Sequence, residues 1–427
     1  MFNDRINYEY EDDDEEWLAD LEGIKDNDPE TTVLSGSGDE NYIQDMAGEG
    51  WEELGRDIAN NTYLESLDLN SGTLNDDRMS SFFRGLTRSS SITDVNFSDN
   101  ELSAAGVRSM VPFLQNATNL REMDLDNNNI QSEGFNMLFR ALRDSPIEKL
   151  SCLSCGIESV QIYTNCMPRN LRRLYLSSNS INADGCRGLA KLLQGGDSTL
   201  NNLYLRNNQI DDEGVQVLAE ALQSNTSLMM LELSANRNIS KQAQILLLKL
   251  VNDISSIKAT LQSNHTLKCL SVEILDDSGI QRYIIMATQI NMKNKNNPEA
   301  AGRKKMIQAQ LHSGRRAELA ALQGIDRSLY SEIDPLHLPE VLSLIAQRHG
   351  QGELYAAVLS SIMTLFSTMN REKCIQQERD YHAAKAAEHT AKVEELDKEL
   401  ATIKEAAAAA VRNQDNVYSQ SNKRRRT

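Results

Sequence analysis

The stretch LNNLYLRNNQIDDEGVQVLAEALQ (Leu200–Gln223) follows LRRLYLSSNSINADGCRGLAKLLQ (Leu171–Gln194) at an offset of 29 residues. The two agree at L-x-x-L-Y-L-x-x-N-x-I, at a following glycine and along an apolar stripe. Fixed-period similarity constrains the fold more than composition does, because each copy buries its apolar face against the next. Segments of this type begin at Leu64, Ile92, Leu120, Ile147, Leu171, Leu200, Leu228 and, less regularly, Leu267, with offsets of 28, 28, 27, 24, 29, 28 and 39. In the fullest copy Val215, Leu218, Ala219 and Leu222 recur at i, i+3, i+4 and i+7, the spacing of one helix face.

These residues identify a leucine-rich repeat array, and its subtype resembles the ribonuclease-inhibitor-like class. That resemblance implies an α/β fold, a solenoid in which every unit is a parallel strand followed by a full helix. Packed helices sit about 8–10 Å apart and neighbouring strands about 4.8 Å, so stacking bends the array into a horseshoe with strands on the concave side. Asn100, Asn128, Asn179, Asn208 and Asn236 recur after the strand, where an amide can satisfy the backbone of a tight turn. The unit at Ile147–Asn170 is short and lacks both this asparagine and the helical glycine, which puts its curvature in doubt.

Five regions are expected. Residues 1–30 hold 13 Asp and Glu against Arg5 and Lys25, and read as a disordered acidic tail. Residues 31–290 form the array, opened by a cap with a strand within Thr31–Leu34 and a helix bearing Trp51, Leu54 and Ile58. Residues 291–368 hold a connector and a C-terminal helical pair in Ile333–Phe366. Residues 369–412 form one long helix whose Val393, Leu396, Leu400 and Ile403 suit either a short coiled coil or a solitary solvated helix. Weak self-association through residues 393–410 follows from the first of these. Residues 413–427 form a basic disordered tail ending NKRRRT. The segments GWEELGRDIANNTYLESL, NPEAAGRKKMIQ and LPEVLSLIA…ELYAAVLSSIMTLF are similar to a group of repeat proteins abundant in diatoms and related microalgae. The similarity implies architecture and protein binding, and no particular activity.

The opening MFNDRINYEYEDDDEEW is the opposite of a signal peptide, and the run Ile245–Val251 is too short to span a bilayer. A cytoplasmic and/or nuclear protein without a membrane partner is expected, with NKRRRT accessible to import receptors. A net charge of −18 disfavours nucleic acid as a partner.

No catalytic residue, cofactor or metal is expected, and no enzyme. All six histidines lie at or beyond His265, leaving the main repeats without imidazole for acid–base work. No phosphate-cradling glycine loop occurs. Cys152 and Cys155, with Cys166 and Cys186 nearby, invite a zinc reading, but Cys152 fills a core leucine position and Cys155 the asparagine position.

The repeat instead offers a surface. Its variable strand positions are acidic early (Asp68, Asp94, Glu122, Asp124, Asp126). They then become basic and aromatic at Lys149, Arg172, Arg173, Tyr175, Tyr204 and Arg206, followed by Met229 and Met230. Arg and Tyr dominate protein interfaces, so these six residues are the candidate partner site of a non-enzymatic scaffold. The alternative is a GTPase-activating protein, since one such family joins this repeat subtype to an acidic segment, there placed after the repeats. An intramolecular contact is also expected, with Glu9–Trp17 laying its carboxylates and indole on the basic patch.

Overall fold

The computed structural model describes residues 10–36, 46–71, 74–162, 168–194, 198–255, 257–273, 279–311, 319, 321–323, 392 and 398. The chain divides into two units, Met1–Leu338 and Pro339–Thr427, and every element named below lies in the first. Helix α1 (Tyr10–Lys25) and strand β1 (Val33–Ser35) precede α2 (Gly48–Asn60), β2 (Ser66–Asp68), α3 (Asp76–Gly85), β3 (Asp94–Asn96), α4 (Ala104–Asn116), β4 (Glu122–Asp124) and α5 (Gln131–Ala141). Then come β5 (Lys149–Ser151), β6 (Arg173–Tyr175), α6 (Ala183–Gln194), β7 (Asn202–Tyr204), α7 (Asp212–Gln223) and β8 (Met230–Glu232). Helices α8 (Lys241–Asn252) and α9 (Ile257–Gln262), strand β9 (Cys269–Ser271), α10 (Ile280–Lys293) and α11 (Pro298–Leu311) complete the series.

The nine strands among the described residues form one parallel sheet in chain order, β1 to β9. This is a leucine-rich repeat solenoid, and its register is the sequence period made visible: Leu174 pairs with Leu203, and Leu203 with Leu231. Each strand buries its middle residue and leaves its flanking ones partly or fully exposed, except β5, where Ser151 is also buried. That alternation puts one sheet face under the helices and the other toward solvent. No helix among the described residues is long and apolar enough to cross a membrane.

The recurrent asparagine does what its chemistry allows. Asn208 donates through its amide to the carbonyls of Leu176 (2.9 Å) and Leu205 (3.1 Å) and accepts the Ile181 N–H at 2.9 Å. One buried side chain thus ties two successive turns together. Asp99, Asn127, Ser178, Asn207 and Ala235, each just before such an asparagine, take positive φ between 54° and 60° to make the turn. Cys155 occupies the same seat, its thiol donating to the Leu125 carbonyl at 3.1 Å.

The short unit does not interrupt the sheet, since β5 pairs with β4 and β6 in the common register. In place of a helix, residues 157–162 run as irregular chain. Ser132 Oγ accepts the N–H groups of Glu158 and Ser159, and Asn136 Oδ1 accepts that of Gln161. Helix α6 comes close to this thin segment because it carries glycine there. A Cβ on Gly188 would stand 1.8 Å from the Val160 carbonyl oxygen.

The disordered acidic tail expected over residues 1–30 is, from Tyr10 to Lys25, the helix α1 instead. Trp17 and Ile24 are each 1% exposed and join the same core as Leu34, Trp51 and Ile58. The charge run concealed an i, i+4, i+7 stripe of Trp17, Leu21 and Ile24. The indole expected to anchor a contact with the middle strands is therefore committed to the cap. The helical pair within 333–366, the seam of 393–410 and the basic end lie outside the described residues, apart from Lys398.

Candidate binding face of the repeat sheet

The register sorts the side chains of the outer sheet face into rows. One row runs Asp94, Glu122, Lys149, Arg173, Asn202, Met230, and the next Asn96, Asp124, Ser151, Tyr175, Tyr204, Glu232. All six expected site residues fall on or beside β5, β6 and β7 of this face.

The tyrosines meet as their register requires. Tyr175 and Tyr204 pack with ring centroids 4.3 Å apart and planes 4° from parallel. The Asn202 amide donates to the Tyr204 hydroxyl at 3.3 Å and lies 3.6 Å from Met230 Sδ. Burial raises the Tyr175 hydroxyl above the usual phenol value, and Tyr204 beside it adds to the rise, so the Tyr175 ring is a neutral donor near pH 7. Met229 is 37% exposed and extends the apolar ground along the next strand.

The cations are arranged less freely than a basic patch implies. Glu122 accepts from Lys149 Nζ at 3.1 Å with one oxygen and from Arg173 Nη2 at 3.1 Å with the other. Glu148 binds Arg121 at 2.8 Å and lies 3.8 Å from Arg172. Both bridges are half-exposed, so each contributes at most about 1 kcal/mol to stability. Their larger effect is on recognition, because Lys149, Arg173 and Arg172 already face a carboxylate. Arg206 differs. Its backbone N–H donates to Ser177 Oγ at 3.2 Å, and among the described residues its exposed guanidinium enters no ion pair.

Reading residues strand by strand missed these clamps, although the period predicts them: 27 residues separate Glu122 from Lys149, about one repeat. The acidic side of the face is tightly held. Asp126 accepts from Ser151 Oγ and the Leu153 N–H, both at 2.6 Å. Burial and the neighbouring Asp126 raise Asp124 to about 6, against the backbone N–H that Asp126 donates to it. Burial pushes the Cys152 thiol well above its ordinary value and Cys186 to about 12, so neither is a thiolate nucleophile near pH 7.

Three segments, residues 116–138, 168–190 and 196–219, match the sequence profile of the leucine-rich repeat. The chain thus carries leucine-rich repeats. No curated protein sequence matches it. Among solved structures it is similar to an internalin from Listeria monocytogenes, at 20% identity over 62% of this chain and 79% of that one, with a TM-score of 0.29. It is also similar to the LRIM1/APL1C complex, at 15% identity over 94% and 79% with a TM-score of 0.25. A third is the tropomodulin C-terminal domain of Caenorhabditis elegans, at 10% identity over 59% and 96% with a TM-score of 0.21.

Proposed function

We propose that this leucine-rich repeat protein is a non-enzymatic scaffold that docks a partner protein on the exposed sheet face, centred on Tyr175 and Tyr204. The observation that carries the reading is their parallel stack at 4.3 Å. Two rigid rings held by register lose little entropy on binding and present a flat amphipathic surface, as residues that dominate interfaces do. Since Glu122 and Glu148 occupy Lys149, Arg172 and Arg173, the partner element suited to this ground is an apolar or aromatic side chain. A carboxylate beside it meets Arg206. A cytoplasmic and/or nuclear setting is supported by the free thiols of Cys152, Cys155, Cys186 and Cys269.

Proximity labelling in cells that carry the intact chain, repeated with a Tyr175→Ala/Tyr204→Ala variant, tests the site. A partner recovered with the native chain should fall at least about tenfold with the variant, the scale of losing interface anchors. It should be unaffected by Arg108→Ala on the helical side. Equal recovery with the tyrosine variant would remove the face as the docking site.

A further inference from the structure

The first strand has a second surface, away from the tyrosines. β1 has only β2 as a neighbour, so among the described residues the backbone groups on its other edge have no ladder partner. Natural proteins usually blunt such an edge with a bulge, a proline or an inward charge. Here Val33 is 49% exposed and Ser35 is exposed as well.

Beside this edge lies a cleft of about 880 Å³ between the last turns of α1, the connection 26–32 and β1. Asp20, Glu22, Asp26, Asp28 and Glu30 line it, and among the described residues no lysine or arginine does. Glu22, Asp26 and Glu30 enter no ion pair among the described residues, and the nearby Lys25 is turned to Glu53 at 3.6 Å. Trp17, 1% exposed, also lines the cleft, and its indole N–H is buried without a hydrogen-bond partner among the described residues. A buried donor of this kind costs about 1–3 kcal/mol when unmet. An open strand edge and concentrated carboxylates thus converge on one cleft.

The geometry points to a docking site for an extended segment rich in lysine or arginine from a partner protein, which adds to β1 as a tenth strand. Strand addition supplies affinity through main-chain hydrogen bonds and specificity through alternate side chains. Successive same-side residues of such a strand rise about 6.6–6.8 Å, so cations at alternate positions reach carboxylates spread along the connection while the intervening residues cover Val33. The long-range attraction between an acidic cleft and a basic segment also speeds the encounter.

The full chain can be titrated by fluorescence anisotropy against a labelled peptide of alternating lysine and valine. The same peptide with glutamate for lysine, and one with alternate backbone amides N-methylated, serve as comparisons. The lysine peptide should bind and the glutamate peptide should not. Affinity should fall at least about tenfold as salt rises from about 0.1 to about 1 M and the screening length shrinks from about 10 to about 3 Å. N-methylation should weaken binding similarly, and so should Asp26→Lys/Glu30→Lys, whose side chains are exposed and whose exchange leaves the core intact. Tyr175→Ala should leave it unchanged, which separates this surface from the tyrosine face. Equal binding of the glutamate peptide, or an affinity indifferent to charge reversal, would overturn the proposal. Indifference to N-methylation would overturn it too, by reducing the contact to charge alone.

Discussion

The Cys155 thiol donates to the Leu125 carbonyl at 3.1 Å, in a seat that asparagine fills in the neighbouring repeats. A thiol is a weak donor and a poor acceptor. It cannot provide the Oδ1 with which Asn128 accepts the Leu102 N–H at 3.0 Å and Asn208 the Ile181 N–H at 2.9 Å. Cys155→Asn should therefore stabilise the fold by about 1 kcal/mol, the net value of a buried hydrogen bond. Urea denaturation reads the effect as a higher midpoint at an unchanged slope. A lower midpoint would show that the local turn has adapted to sulfur.

The close approach of α6 to Val160 makes an opposite prediction for Gly188. Alanine in a helix interior is favoured over glycine by about 1 kcal/mol. At this position, however, the new Cβ would stand 1.8 Å from the Val160 carbonyl oxygen, and a backbone atom has no rotamer with which to yield. Overpacking wins, and Gly188→Ala should cost roughly 2 kcal/mol. Gly214→Ala is the contrast, because its nearest neighbours are the Ile210 methyl at 3.0 Å and Cys186 Sγ at 3.1 Å. Its thermal midpoint should stay closer to that of the native chain.

Leu203 occupies the middle of the sheet ladder between Leu174 and Leu231 and is fully buried. Leu203→Ala removes buried methyl groups and leaves a cavity, at about 2–5 kcal/mol. Because each repeat rests on its neighbours, the loss should spread. Hydrogen exchange should accelerate in β6 and β8 as well as β7. Acceleration confined to β7 would contradict nearest-neighbour coupling.

The repeat units and strand registry were legible because Leu174, Leu203 and Asn208 recur at fixed offsets, and periodicity reports burial directly. Tyr175 and Tyr204 were legible as a pair for the same reason. The clamps of Glu122 and Glu148 were not, since they join residues of adjacent repeats, and a single-strand reading treats each charge as free. Helix α1 was lost for a different reason. The carboxylates around Trp17 dominate local composition, but a sparse stripe that the repeat core can cover is enough to fix a terminal helix. Lys305 could not have been found from its own neighbourhood, because all three acceptors come from residues at least 40 positions away.

Those acceptors give the fourth prediction. Lys305 Nζ, on a side chain 1% exposed, donates to the carbonyls of Val251 at 2.5 Å and Asn264 at 3.1 Å, and to His265 Nδ1 at 3.1 Å. His265 Nε2 in turn donates to the Leu261 carbonyl at 3.1 Å, which fixes the neutral tautomer with Nδ1 as acceptor. Burial, with the Lys305 charge adding to it, lowers His265 from 6.5 to about 4. Between these values the unfolded chain binds the proton more readily than the folded one, so this contribution is complete above pH 6.5 and is lost as pH falls toward 4. Burial also lowers Lys305, from 10.5 to about 7. Its contribution is complete above 10.5, is lost as pH falls to 7 and is constant below, so the two windows are separate. His265→Asn keeps an acceptor near Nδ1 without a group that titrates in this range. Stability of both proteins should be measured by urea denaturation at pH 6.5 and at pH 4. Asp124, raised to about 6, titrates in both and cancels. The native chain should lose more stability than His265→Asn across that interval, and the two should behave alike between pH 7 and 8. Parallel losses from pH 6.5 to 4 would show that His265 does not carry its proton differently in the folded chain.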